Sequence, residues 1–358
     1  MQFNSVDIHN LRCLQDIQFV PDAGTSLIVG ANGSGKTSVL EALALASLGK
    51  SFLSNRSSDI VRSGAQGLSV RAMLSDPDSG PFDVSVRKIK GETSISLDGM
   101  PIMAASALAQ RVPLVVINSK AADILGENPS NRRALVDRTM FHVEPAYVKS
   151  WKGYRQALRQ RNELLKNKAP RSETGFWHDT LAELAEAIDE KRLRVVSTMN
   201  KALESCPLGE ILGPLRMNYA PGWNRGKSYR EQLDESWGRD LKFGHTSLGI
   251  HRADLTLKAD ERSIARRLSR GQAKFIVCNL LLSLADFVKA ESAKASIILV
   301  DDLAAELDDK MRAGAVEMVN QRGGQRIFTA IKASEIPEIS DVTNKVFHVE
   351  QANQVVTA

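Results

Sequence analysis

Gly30-Ala31-Asn32-Gly33-Ser34-Gly35-Lys36-Thr37 is the stretch whose residue types and spacing most directly imply chemistry. It fits G-x-x-x-x-G-K-S/T, the P-loop pattern, in which glycines let the backbone close around an anion. The amide N–H groups of such a loop converge on the α- and β-phosphates of a nucleoside triphosphate. Lys36 is placed to reach the β- and γ-phosphates, and the Thr37 hydroxyl to take a position on Mg²⁺. Far along the chain, Ile297-Ile298-Leu299-Val300-Asp301-Asp302 is an apolar run ending in two carboxylates, the Walker B arrangement. Asp301 is expected to hold Mg²⁺ beside Thr37, directly or through water. Asp302 is expected to face the attacking water and to orient or deprotonate it. ATP and Mg²⁺ are the cofactors these residues imply.

Such groups work only if strands and helices aim them. Ser26-Leu27-Ile28-Val29 reads as a short buried strand entering the loop. Ser38 to Ala46 is rich in helix formers, with no Gly or Pro before Gly49. Leu268-Ser269-Arg270-Gly271-Gln272 precedes a long apolar helix. Ser269 there is a helix cap, and a capped helix mouth can also receive an anion. Arg326 to Ile331 reads as a last core strand, and residues 68–98 as an antiparallel meander. Residues 2–29 read as strands, with Arg12 in a turn as either a solvated charge or a phosphate contact folded back beside the P-loop.

The chain has 358 residues, enough for two or three domains. Its 43% hydrophobic and 25% charged residues are ordinary for a globular protein, and 5% aromatic residues leave little for broad stacking on bases. Three widely spaced cysteines, Cys13, Cys206 and Cys278, form neither a disulfide framework nor a metal-ligand spacing; reduced thiols in a cytoplasmic protein are expected. The N-terminal residues lack the pattern of a secretory signal, and the apolar stretch from Phe275 to Val288 is too short to span a bilayer.

Charge is concentrated in one place. Residues 145–205 read as two long helices joined by Lys168-Ala169-Pro170-Arg171-Ser172, an antiparallel arm. From Lys149 to Arg171 there are eight basic residues and one acidic, a net +7 within a chain of net +5. Lys149, Lys152, Arg155, Arg159 and Lys166 share an arc of roughly 120° on the first helix, set well away from its apolar face. That arc is either a solvated face or a contact surface for a phosphate backbone. The loop Gly222 to Lys227 reads as a surface turn rather than a nucleic-acid contact.

The P-loop, the Leu268–Gln272 segment, the acidic strand end and Ala305-Glu306-Leu307-Asp308 together resemble an ABC-type ATPase head. Further pieces are similar to the RecF family: Asn10-Leu11-Arg12, Gly49-Lys50-Ser51-Phe52, Arg132-Arg133 with Asp137, Glu144-Pro145, Gly249-Ile250-His251-Arg252-Ala253-Asp254 and Asp301-Asp302-Leu303. The resemblance runs nearly end to end. It implies an α/β fold, an ABC/SMC-type P-loop ATPase head (residues 1–120 and 246–358) with an inserted helical arm lobe (121–245, basic helix 145–168). It further implies an ATP-dependent homodimer in which the P-loop of one subunit meets Ser269, Gly271 and Gln272 of the other, with Asp308 at the contact. Single-stranded and gapped DNA, RecR, RecO and RecA are the implied partners, with roles in repair, replication and SOS induction. Weak, DNA-stimulated ATPase activity is expected, with Asp302 and Lys36 catalytic. Departures from the family pattern stand at Leu53, Ser119-Lys120, Ile250 and Ala253, and Thr329 replaces the usual γ-phosphate-sensing His. The rival readings are an energy-coupling subunit of a membrane transporter, disfavoured by the basic arm, Arg270 and Asp302, and a nucleotide-binding scaffold without turnover.

Overall fold

The computed structural model describes the chain except residues 55, 104, 127, 304, 350–354 and 358. It divides into two compact units, Met1–Ala122 with Ser269–Ala358, and Asp123–Leu268. The first strands of unit one are β1 (Gln2–Leu11), β2 (Leu14–Phe19) and β3 (Thr25–Val29). After the glycine loop come α1 (Lys36–Leu48), the meander β4 (Gly67–Asp76), β5 (Gly80–Ile89) and β6 (Glu92–Leu97), then β7 (Met100–Pro101), α2 (Ala105–Arg111) and β8 (Leu114–Ile117). Strands β1, β4 and β5 alternate buried and more exposed positions, so each offers one apolar face. They form an antiparallel sheet in the order β2-β1-β4-β5-β6-β7.

Strand β3 is buried at all five positions, as a parallel strand covered on both faces must be. Helix α1 has every residue buried except Thr37, because it lies in the core formed with both sheets of the unit. A helix enclosed all round needs no polar stripe, yet it carries Glu41, which is fully buried. Arg12 compensates that carboxylate through Nε at 2.5 Å and Nη2 at 3.0 Å, and the Ser51 hydroxyl donates to the same group.

Unit two begins with α3 (Pro129–Val143), α4 (Pro145–Lys166) and α5 (Arg171–Glu204). Helices α4 and α5 are the expected pair, broken at residues 167–170. Next come α6 (Gly209–Leu212), β9 (Leu215–Ala220), α7 (Tyr229–Glu235), α8 (Trp237–Phe243), β10 (Asp254–Ala259) and β11 (Arg262–Ser263). Residues 246–268, expected in the head, belong instead to this unit. The reason is pairing at long range: β10 runs antiparallel to β9, with Leu255 opposite Tyr219 and Leu257 opposite Met217. The lobe is thus helical with a three-stranded sheet, β11-β10-β9.

Buried ion pairs organise this unit. Asp137 accepts from Arg192 Nε at 2.8 Å and Nη2 at 3.0 Å, and from the Tyr147 hydroxyl and Trp151 Nε1. Arg132 forks onto Asp254 at 2.9 and 3.0 Å. Arg161, one of the eight cations of the basic segment, is fully buried and donates to Asp240 at 2.9 Å and Thr246 at 2.7 Å. It is a structural residue and leaves the surface charge. The Gly222–Lys227 loop is a structural turn as well: Arg225 forks onto Asp189 and Trp223 stacks on Tyr229 at 4.8 Å.

The chain returns to unit one with α9 (Arg270–Ser292), β12 (Ile297–Val300), α10 (Asp309–Asn320), β13 (Arg326–Ala330), β14 (Thr343–Val349) and β15 (Val355–Thr357). The second sheet has the order β15-β14-β3-β13-β12-β8. Strand β13 is therefore not the last core strand; β14 follows and pairs parallel to β3. In register, Leu27 faces Phe328, Phe328 faces Val300, and Val300 faces Ile117.

Removing one partner of a buried ion pair strands the other charge in a poor solvent, which costs about 3–5 kcal/mol. Arg161→Leu is expected to lower stability by about that amount, whereas Arg161→Met with Asp240→Leu recovers much of the loss. The urea midpoint for the arm unit, followed by tryptophan emission, checks both.

Candidate functional site

The parallel register brings the C-terminal ends of β3, β13 and β12 side by side, and the open end of a parallel sheet is where α/β folds bind ligands. Strand β3 delivers the P-loop there, β12 delivers Asp301 and Asp302, and β13 lies between them. Gly33 has φ 78° and Gly35 φ 117°, a region L side chains rarely occupy. A Cβ on Gly35 would also stand 2.7 Å from Leu14 Cδ2. The glycines are thus required by the turn and by the packing of the strand pair against it.

Lys36 is buried, and its Nζ donates to the Gly30 carbonyl at 2.7 Å and the Ala31 carbonyl at 3.0 Å. Burial pulls its pKa below the usual lysine value, against the opposing pull of Asp302, Asp301 and Glu335. Ala31, Asn32 and Gly33 are exposed at the tip of the loop, while Ser34 is buried with a hydroxyl that has no hydrogen-bond partner among the described residues.

The carboxylates form a compact group with two threonines. Thr37 Oγ1 donates to Asp301 Oδ1 at 3.0 Å, and Thr329 Oγ1 donates to the same oxygen at 2.8 Å. Thr329 Oγ1 also accepts the Asp302 N–H at 3.0 Å. Burial raises the Asp301 pKa, and the two hydroxyls oppose the rise. Lys36, Thr37, Asp301 and Asp302 are brought together as expected. The sequence marks Thr329 only as a departure from His; its β-register, one residue beyond Phe328, is the signal that places it beside Asp301.

The donor set fits Mg²⁺. A hydroxyl and a carboxylate are hard oxygen ligands, and this ion commonly takes one or two protein carboxylates with the remaining positions on phosphates and water. The unpartnered Ser34 hydroxyl and the clustered loop amides fit a phosphate group.

Other expected residues are committed locally. Ser269 caps α9: its hydroxyl accepts from Gln272 N at 3.1 Å while the Gln272 side chain accepts from Ser269 N at 3.0 Å. Gly271 packs close, since a Cβ there would lie 2.8 Å from the Glu306 carbonyl. Asp308 caps α10 through Met311 N at 2.8 Å. Both Ser269 and Asp308 are exposed. Arg12 is held on Glu41, and its Nη1 donates to the Asp59 carbonyl at 3.1 Å, so its fork braces α1. The departures Leu53 and Lys120 meet each other: Lys120 Nζ donates to the Leu53 carbonyl at 3.3 Å.

In unit two, Lys149, Lys152, Arg155, Arg159 and Lys166 are exposed along α4, and no ion pair engages them among the described residues. Arg155 lies over the Trp151 ring at 4.7 Å. Arg171, at the start of α5, pairs with Asp234 at 3.3 Å. No helix of the described residues is long and apolar enough to cross a membrane.

Two sheets around a buried P-loop helix, with an acidic strand end two strands from that loop and a capped Ser-x-Gly-Gln helix, define an ABC/SMC-type ATPase head with an inserted lobe. Residues 2–355 match the family model for the RecF/RecN/SMC N terminal domain. The DNA replication and repair protein RecF of Shewanella baltica (strain OS155 / ATCC BAA-1091) is 34% identical over 360 residues, covering 99% of each chain. That of Shewanella sp. (strain MR-4) is 33% identical over the same length. The chain belongs to the RecF family. Among solved structures, the recombination mediator protein RecF-ATPrS of the RecFOR pathway superposes with TM-score 0.84 at 22% identity, covering 99% of this chain and 98% of that one. An Smc head bound to the C-winged helix domain of ScpA gives 0.61 at 14% identity, covering 100% and 98%.

Gly35→Ala combines a disfavoured φ with a steric clash, and is expected to cost about 1–3 kcal/mol. Thermal unfolding measures this, and binding of a fluorescent ATP analogue should weaken at least as much as it does for Lys36→Ala.

Proposed function

We propose that this chain is an ATP-gated DNA-binding protein of recombinational repair and replication, in which two copies close around two ATP molecules and open on slow hydrolysis. The convergence of Lys36, Thr37, Asp301 and Asp302 at the ends of β3 and β12, in a member of this family, carries the reading. The P-loop amides and Lys36 bind the phosphates. Thr37 and Asp301 would hold Mg²⁺, which supplies charge neutralisation at the phosphate oxygens when bound. Asp302 orients the attacking water and takes its proton. The water oxygen bonds to the γ-phosphorus as the bond to the β,γ-bridging oxygen breaks, and ADP leaves with that electron pair.

The second half of each site comes from the other copy. Ser269 is exposed and Gln272 half-buried at the mouth of a capped helix, a position suited to an anion. The five unpaired cations of α4 supply the phosphate-backbone contact. Single-stranded or gapped DNA, and the partners RecR, RecO and RecA, follow from the family resemblance, as does a cytoplasmic location. The family assignment displaces the transporter-subunit alternative.

Light scattering with and without ATP tests the sandwich. Wild-type chain is expected to dimerise with ATP, and Ser269→Arg to remain monomeric while retaining nucleotide affinity; a Ser269→Arg chain that dimerises normally overturns the model. For DNA, Lys152→Glu, Arg155→Glu and Arg159→Glu together are expected to weaken binding at least about tenfold and to flatten the salt slope by about one unit per lost phosphate contact. Unchanged affinity and slope in a fluorescence-anisotropy titration would return α4 to an ordinary solvated face.

A further inference from the structure

Asp302 has φ 47°, a left-handed backbone uncommon outside glycine, although Asp adopts it more readily than most residues. Here its peptide groups are held on both sides. The N–H is taken by Thr329 Oγ1 at 3.0 Å, from the adjacent strand β13. The carbonyl is taken by Lys274 Nζ at 3.0 Å, from helix α9. Both holders are fully buried. Lys274 also lies 3.6 Å from Glu306, which in turn pairs with Arg270 at 2.9 Å. A fully buried lysine is costly unless its charge is matched, and this one spends its amine on a backbone carbonyl at the end of the acidic strand.

We propose that Thr329 and Lys274 are positioning residues that clamp the Asp302 backbone in its left-handed turn and thereby aim its carboxylate at the attacking water. The inference rests on the nucleotide reading above. Thr329 does this with one hydroxyl: its proton goes to Asp301, and its lone pair receives the Asp302 N–H. Valine has the same shape and can do neither. Lys274 hydrogen-bonds Asp302 and reaches Asp301 only through its charge, so it perturbs the metal ligand less directly than Thr329 does. Lys274 lies five residues beyond the Ser269 cap on the same helix, so a ligand at that helix mouth bears on the turn that holds Asp302.

The test is a split between binding and turnover. Wild type, Thr329→Val, Thr329→Ser and Lys274→Met are compared for fluorescent-ATP affinity, single-turnover hydrolysis and the lifetime of the ATP-induced dimer. Thr329→Val also removes a hydrogen bond from Asp301, so it is expected to weaken affinity somewhat, to lose a larger factor, on the order of 10- to 100-fold, in hydrolysis, and to lengthen dimer lifetime. Thr329→Ser restores most of the rate. Lys274→Met leaves both hydroxyls on Asp301, gives the cleaner split between affinity and hydrolysis, and stands in should Thr329→Val fail to fold. In an Asp302→Asn background, Lys274→Met should add little further loss, as expected for residues acting as a unit. Wild-type turnover in both Thr329→Val and Lys274→Met, or full additivity with Asp302→Asn, overturns the clamp while leaving the nucleotide reading intact. A wild-type chain that binds no ATP overturns both.

Discussion

A buried carboxylate shared between two hydroxyls holds the catalytic end of this head together. Moving an ionised carboxylate out of water costs several kcal/mol even after the protein relaxes. Asp301 recovers part of this through Thr37 at 3.0 Å and Thr329 at 2.8 Å, and hydrogen bonds to a charged acceptor contribute about 1.5–3 kcal/mol each. The three residues come from α1, β12 and β13. The P-loop helix, the acidic strand and the strand between them are therefore tied through one oxygen atom. Burial still raises the Asp301 pKa above the usual carboxylate value. A group left short of stabilisation in this way favours the arrival of a cation. Lys36 shows the mirror image, an amine desolvated and satisfied by two loop carbonyls until a better anion is offered.

The rest of unit one serves that geometry. Helix α1 runs from the P-loop through the core because its residues are largely apolar, and a single buried carboxylate is the exception in its middle. Glu41 is that exception, and Arg12 with Ser51 makes it tolerable. Arg12 itself has φ 52°, so the turn between β1 and β2 adopts an uncommon backbone to bring its guanidinium over the helix. The sequence reads Arg12 as a solvated charge or a phosphate contact, and the structure adds a role as brace for the P-loop helix through Glu41. The influence on the site is real, but it passes through packing.

Legibility followed the range of the interactions. The P-loop, its strand and helix, the acidic strand end and the Ser269 cap are local patterns, and local patterns survive in a one-dimensional reading. The boundary of the inserted lobe is not local: β10 joins it by pairing with β9, some 40 residues earlier in the chain, and no composition change marks residue 268. The basic helix was half legible. Periodicity separates an apolar from a charged face, but it assigns Arg161 by type, whereas the fold buries it against Asp240 because that carboxylate arrives from α8. Thr329 was legible as a departure and not as a function, since its role needs the register of three parallel strands to be known.

The same chain therefore uses cations in two opposed ways along one helix. Arg161 is buried, fixed and costly to disturb, while Lys149, Lys152, Arg155, Arg159 and Lys166 are solvated and unpaired. Exposed, unpaired cations contribute little to stability, and an uncompensated row repels itself, so their placement on one arc is explained better by a polyanion than by folding. A similar economy holds at Asp302. A side chain one methylene shorter than Glu has less reach, and its backbone is held from β13 and from α9. A base that short depends on its backbone for its aim. On the proposed reading, the short side chain limits turnover, and the two buried holders preserve what aim it has.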